Sequence, residues 1–301
     1  MNDLPGTCYG FEVRSALSFK YLRPGRGSGL DIAEGSTSSD PGVEPIMRWT
    51  SIGGQPFDAR LYVTGSKYDL WIAPMGWFRV DTSIPSVIVP PWEDGAIREP
   101  RIWGIPAALC FMSRGDLPLH ASAVDVAGGA LLFAAPGRFG KTTLASAFLS
   151  AGYRVLSEDI SCCRLSPRPT ILPGPALLRI RQDVYSRLQF PGTHVVAEEG
   201  GKVHLEIDED RRGDGFPVPV EGVVFLREGD DEFRMERVDP REALPDLWTL
   251  NFKLPMGSHL ATSFDGMAAL ADAVPVWNLY RRLEFDTLPS LVDRIITRCL
   301  S

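Results

Sequence analysis

Apolar and polar positions follow two different rhythms along the chain. Between residues 57 and 91, short alternating or aromatic runs ("DARLYVTG", "YDLWIAP", "WFRVDT", "SVIVPP") are separated by Gly, Pro, Asp and Ser. That is the spacing of half-buried strands joined by turns, and it predicts a small, mostly antiparallel β unit. Residues 23–45, "RPGRGSGLDIAEGSTSSDPGVEP", are rich in Gly, Ser and Pro and read as a long loop. After Pro90-Pro91, "REPRIWGIPAALCFMSRG" (98–115) reads as a helix running to a turn at Gly115. The boundary between a β-rich N-terminal domain, residues 1–95, and a second domain, residues 96–301, is expected there.

From Leu117 the texture changes. "LHASAVDVAGGALLFAA" gives two apolar runs around Gly128-Gly129, which read as a hairpin. In "KTTLASAFLSAGYRVLSEDI" the residues Thr143, Leu144, Ala147, Phe148 and Ala151 have helical spacing, and Gly152 supplies a C-cap. "YRVLSEDISCCRL" follows as a strand. A strand, a glycine-containing loop, a helix and a strand ending in acids form the setting that a phosphate-binding loop requires. The fold class expected is therefore α/β, with α+β elements in the β-rich N-terminal part.

The loop itself is "AAPGRFGKTT", residues 134–143, against the pattern G-x-x-x-x-G-K-[ST]. Ala135 stands in the first glycine position, which mainly shapes the turn off the strand. In such a loop backbone N–H groups wrap the phosphates and the helix N-terminus adds its positive dipole. Pro136, Gly137, Arg138, Phe139, Gly140, Lys141, Thr142 and Thr143 are the expected nucleotide-binding stretch. Pro136 stiffens the turn, Gly140 permits close approach, Lys141 reaches the outer phosphates and Thr142 offers its hydroxyl to Mg2+. Arg138 points either away or toward a phosphate.

Glu158 and Asp159 lie about 17 residues beyond Lys141. Adjacent residues on a strand point to opposite faces, so both acids reach one site only at a strand end or bulge. Phosphoryl transfer to a hydroxyl uses a carboxylate near the metal and one that accepts the hydroxyl proton. His120 lies 21 residues before Lys141 on the preceding strand. Spacing alone makes it a core histidine more readily than a catalytic one. Arg179, Arg181 and Lys202 are candidate contacts to nucleotide or acceptor, with Arg138.

The histidine before a hairpin, the loop, the helix ending "GYR" and the acidic pair after the next strand occur together and in order. That combination resembles the HPr serine kinase/phosphorylase family and its shorter kinase-like relatives, which include peptide kinases of lasso-peptide biosynthesis. The likeness continues more weakly through residues 172–188, Lys202, 217–226 and 273–296, and does not extend to residues 1–95. It implies the P-loop core also found in phosphoenolpyruvate carboxykinase. It also implies that His120 lies near the transferred phosphate and orients the acids. The first acid, usually Asp and here Glu158, is the general base, and Asp159 helps organise Mg2+. The extra methylene of Glu158 leaves the base and metal roles exchangeable. Gly137-Arg138 replaces the family's usual Ser-Gly, and the glycine- and arginine-rich loop used in the reverse reaction has no counterpart here.

The resemblance implies an ATP- and Mg2+-dependent kinase acting on a hydroxyl, expected to be a serine of a peptide or protein such as a ribosomally made precursor. GTP is the alternative nucleotide. A small-molecule hydroxyl is the alternative acceptor, and a catalytically inactive nucleotide-binding regulator is the alternative class. The family's hexamers make a homo-oligomer compatible with the likeness.

Composition narrows the rest. With 301 residues, 44% of them hydrophobic, the chain can bury a sizeable core. Its net charge of −7 argues against nucleic acid or an anionic membrane as partner. Five cysteines with no CxxC spacing suggest neither zinc nor a disulfide framework, and Cys162-Cys163 reads as apolar filler in a strand. No basic-then-apolar leader pattern and no apolar run of about 20 residues is present, so a cytoplasmic protein is expected.

Overall fold

The computed structural model describes residues 4–36, 41–52, 55–91, 95–135, 139–230, 232–282 and 284–300. Among these, the strands form two nine-stranded sheets and one three-stranded sheet. The first large sheet runs from Gly6–Cys8 to Ser86–Val89 in sequence. The four patterned runs of the N-terminal part become the strands Gln55–Thr64, Lys67–Ile72, Gly76–Asp81 and Ser86–Val89, paired antiparallel in order.

Two expectations are corrected in this part. Residues 23–45 are not one loop: Arg23–Pro24 and Ser28–Glu34 are strands, and Ser28–Glu34 pairs parallel with Phe11–Arg14 and with Ser86–Val89. Its "LDI" alternates, Leu30 and Ile32 being buried and Asp31 exposed, inside flanks of Gly and Ser. Second, the segment after Pro91 forms two helices, Gly95–Ile102 and Ile105–Ser113, with a break at Trp103-Gly104. Pro106 tolerates the first turn of a helix but not the middle of one, so a new helix begins just before it.

The second large sheet orders its strands Leu117–Leu119, Ser161–Arg164, Thr170–Leu172, Val218–Glu228, Gly129–Ala134, Ala121–Val126, Arg154–Ser157. Val276–Arg281 runs parallel to Val218–Glu228, which runs parallel to Gly129–Ala134. The C-terminal ends of these three strands therefore share one edge. Gly129–Ala134 is buried throughout because both faces are covered, which accounts for its unbroken apolar run. Leu131 and Phe133 face the helices Lys141–Ser150 and Leu288–Leu300, while Ala130, Leu132 and Ala134 face Pro240–Leu250 and Gly257–Ala273. The hairpin turn is Ala127-Gly128, both with positive φ (54° and 88°), one residue earlier than the glycine pair suggested.

The helix Lys141–Ser150 carries the candidate loop at its N-terminus. Its C-terminus closes as predicted at Gly152, with φ of 94°. The Gly152 N–H donates to Leu149 and the Tyr153 N–H to Phe148, the paired bonds of a Schellman motif. Phe148 is fully buried and packs its ring 5.1 Å from Phe133 and 5.6 Å from Tyr153, pinning the helix to the sheet. Phe148→Ala is expected to cost about 3–5 kcal/mol in chemical denaturation. A loss below about 1 kcal/mol would show that this contact does not hold the helix.

The long strand expected over 153–165 is instead two strands, Arg154–Ser157 and Ser161–Arg164, interrupted at Glu158–Ile160. A matching interruption falls at His120, between Leu117–Leu119 and Ala121–Val126. Leu119 pairs with Ser161 and Ala123 with Ser157, so the two interruptions face each other at one corner where the sheet folds back. Hydroxyls stitch that corner. Ser157 and Ser161 Oγ lie 2.6 Å apart, Ser161 donates to the Ala121 carbonyl at 2.9 Å, and Ser122 donates to the Glu158 carbonyl. Tyr9, in the turn between the strands Gly6–Cys8 and Phe11–Arg14, donates to the Ile160 carbonyl at 2.8 Å. Cys162 and Cys163 are buried on opposite faces of their strand, as apolar filler requires. Burial pushes the Cys163 thiol up to about 12. No helix among the described residues is long and apolar enough to cross a membrane.

Candidate functional site

The corner and the shared strand edge meet in a cleft of about 870 Å³. Lining it are His120, the residues 140–143, Glu158, Asp159, Arg179, Arg181, Lys202 and Arg281, among others. Of the expected loop residues, Pro136, Gly137 and Arg138 lie outside the described residues. Phe139 packs partly buried against the core beside the helix.

Gly140 sits at the helix N-cap with φ of 79° and ψ of 24°, left-handed backbone that favours glycine. A Cβ there would also stand 2.8 Å from Arg281 Nη2, so the guanidinium tip would have to shift to admit one. Lys141 is 7% exposed. Its ammonium donates to the Ala135 carbonyl at 2.8 Å and meets His120 Nε2 at 3.0 Å. Burial lowers the Lys141 pKa, while Asp159 and Glu158 oppose that effect.

A lysine ammonium has only donors, so His120 Nε2 accepts and the ring is neutral, with its proton on Nδ1. Nδ1 faces Asp159 Oδ1 at 3.4 Å. Burial is the largest influence lowering the His120 pKa and Lys141 adds to it, against Asp159 and Glu158. The histidine therefore belongs to a polar chain from Lys141 to Asp159 rather than to the core.

The two acids are held differently. Glu158 is 7% exposed and its Oε1 accepts from the Thr142 hydroxyl at 2.6 Å. Asp159 keeps 41% of its side chain exposed, with Oδ2 accepting from Arg179 Nη2 at 2.8 Å. Arg179 Nε also lies 3.5 Å from Glu158 Oε2, so one guanidinium ties both carboxylates. Burial works to raise the Asp159 carboxyl, but Arg179, His120, Lys202 and Lys141 together outweigh it and hold the group low, at about 2. Because neither acid belongs to a strand ladder, the alternation rule does not separate them, and both reach the cleft.

The basic candidates divide. Arg179 is engaged by the acids and acts as their tether. Arg181 pairs with Asp183 at 2.9 Å near the surface, and Lys202 lies opposite Arg181 in the strand register. Thr143 lines the cleft next to the loop. Among the described residues, no group of three or more His, Cys, Asp or Glu side chains forms a ready metal site. The Thr142 hydroxyl and the Glu158 carboxylate nonetheless form an adjacent pair of hard oxygen donors, suited to Mg2+ together with ligand phosphate oxygens.

Arg281 is a cleft residue that the sequence reading did not single out. It is 4% exposed, and its Nη2 donates to the Phe139 carbonyl at 2.8 Å. The usable signal is its position as last residue of a parallel strand, since ligands of open parallel sheets gather at the carboxyl ends of the strands.

No family model matches the chain, and no curated protein matches it. Among solved structures, it is similar to the HPr(Ser) kinase/phosphatase from Coxiella burnetii, covering 60% of this chain and 94% of that one. The sequences are 11% identical there and the TM-score is 0.31. That is a distant structural relationship, without bearing on activity.

Proposed function

We propose that the protein is a kinase that moves the γ-phosphate of ATP to a hydroxyl, with the serine of a peptide or protein as the first acceptor class. The observation that carries this reading is the convergence of Lys141, the Thr142–Glu158 pair and the His120–Asp159 pair on one cleft at a strand-to-helix loop. The loop resembles a phosphate-binding loop, so the Lys141 ammonium and the N-terminal amides of its helix would hold the phosphates.

The geometry favours a division of labour between the acids. Glu158, shielded and bonded to the Thr142 hydroxyl, is the metal-side carboxylate. Asp159, more open and backed by His120, is the base. This exchanges the roles that the family resemblance first implied. Mg2+, when bound, would neutralise phosphate charge. The acceptor oxygen attacks the γ-phosphorus, its proton passes to Asp159, and the bond from the γ-phosphorus to the bridging oxygen breaks to release ADP. Arg179 keeps the Asp159 carboxylate ionised and aimed.

The test is to incubate the protein with γ-labelled ATP and Mg2+ against serine-containing peptides and small hydroxyl compounds. Label should appear as a phosphate ester on an acceptor, and none should form when EDTA is present from the start. ATP binding without transfer to any acceptor class would favour a nucleotide-binding regulator instead.

The acidic pH profile supplies a second test. Protonating His120 would place a cation 3.0 Å from the Lys141 ammonium and end the acceptor role of Nε2. Folding favours the neutral ring, so the stability it contributes is present above the ordinary imidazole pKa of about 6.5 and lost on acidification. Asp159 stays ionised across that range. The rate is thus expected to rise from acid to a plateau, with its midpoint below about 6.5, and His120→Gln should lose that limb. An unchanged acidic limb in His120→Gln would remove the histidine from this role.

A further inference from the structure

Arg281 is buried, and among the described residues it has no counter-ion. Its Nη2 spends one bond on the Phe139 carbonyl, Nη1 reaches only the Arg282 carbonyl at 3.5 Å, and Nε has no hydrogen-bond partner. Burial pulls the guanidinium down to about 10, with no carboxylate among the influences on it. Arg179 in the same cleft shows the contrast, since two carboxylates answer its charge. A desolvated cation left unpaired is costly, so an anion arriving to pair it would be favoured.

Its location says what arrives. Arg281 ends its strand at the edge where the strand Gly129–Ala134 delivers the loop, and it lines the cleft beside Gly140 and Lys141. A Cβ on the N-cap Gly140 would stand 2.8 Å from the guanidinium Nη2, so the guanidinium lies directly over the start of the helix. A cationic fork, a lysine ammonium and a helix N-terminus side by side suit a multiply charged phosphate chain.

We infer that Arg281 is a phosphate-binding residue of this site, taking the polyphosphate of the nucleotide with Lys141 and gaining from it the counter-charge that the described residues do not supply. The inference rests on the nucleotide reading given above. It goes further in assigning to the ligand a residue of the C-terminal strand, so that binding would link the loop helix to the strand Val276–Arg281.

The discriminating feature is opposite signs. In Arg281→Met the ligand-free protein should melt at the wild-type temperature or above, because an unpaired buried charge is gone. Its affinity for ATP and for inorganic tripolyphosphate should nonetheless fall about 10- to 100-fold, and Arg281→Lys should recover part of it. Thermal unfolding and equilibrium titration of both ligands, on wild type and the two variants, read these quantities. Wild-type affinity for both ligands in Arg281→Met would overturn the inference while leaving the nucleotide reading standing. A lower melting temperature with unchanged affinity would likewise overturn it, making Arg281 a strap on Phe139. Wild type that binds tripolyphosphate but not ATP, with Arg281→Met weakened, would support the anion site and overturn the nucleotide reading. Wild type that binds neither overturns both.

Discussion

Lys141→Ala should lower phosphate transfer by about 10²–10³-fold, the scale seen when one preorganised donor to developing charge is removed. The lysine is buried to 7% exposure at the start of the helix, and its ammonium bonds the Ala135 carbonyl and meets His120 Nε2. Losing it removes the cation at the start of the loop helix and frees His120 Nε2 from its donor. The effect should fall on both kcat and the ATP dependence, since the contact serves the ground state and the transition state. The helix itself should survive, because Phe148, Leu144 and the Schellman closure hold it independently of Lys141. Unaltered kcat/KM in a folded Lys141→Ala protein would show that the loop does not carry the phosphate.

Asp159→Asn is the second large effect. Asparagine keeps the size of the side chain and accepts from Arg179, but it takes no proton at neutral pH. General-base loss is worth about 10²–10⁴-fold, so kcat should drop by that factor while ATP still binds. Glu158→Gln should behave differently, changing the Mg2+ concentration needed for half-maximal rate, because Glu158 bonds to the Thr142 hydroxyl. If Glu158→Gln abolishes transfer at saturating Mg2+ and Asp159→Asn spares it, the two roles are the reverse.

Much of this was legible in the chain because it is local. The helix after the loop follows from the spacing of Leu144, Ala147 and Phe148 with Gly152 as terminator, and the structure closes it there. Lys141, Glu158 and Asp159 were marked by order and spacing and His120 by the family resemblance, and the four converge on one cleft. What sequence did not reveal is non-local. Two strand interruptions, at His120 and at Glu158–Ile160, face each other only because Leu119 pairs with Ser161 and Ala123 with Ser157. Arg179 looked like a substrate contact because the acids that capture it belong to another element. Arg281 became visible only once three parallel strands set their ends along one edge. The strand Ser28–Glu34 was hidden by Gly and Ser flanks, although Leu30 and Ile32 alternate inside them. The segment 136–138, central to the loop pattern, lies outside the described residues.

The measurement that bears most directly on the central claim is a single-turnover experiment with γ-labelled ATP prebound to wild type and to Asp159→Asn, then mixed with a hydroxyl acceptor. Wild type should pass label to the acceptor oxygen in step with ADP formation, and Asp159→Asn should hold the same nucleotide without passing it on. Transfer at equal rates in both proteins, or labelled ATP retained intact by wild type with every acceptor, would contradict the account.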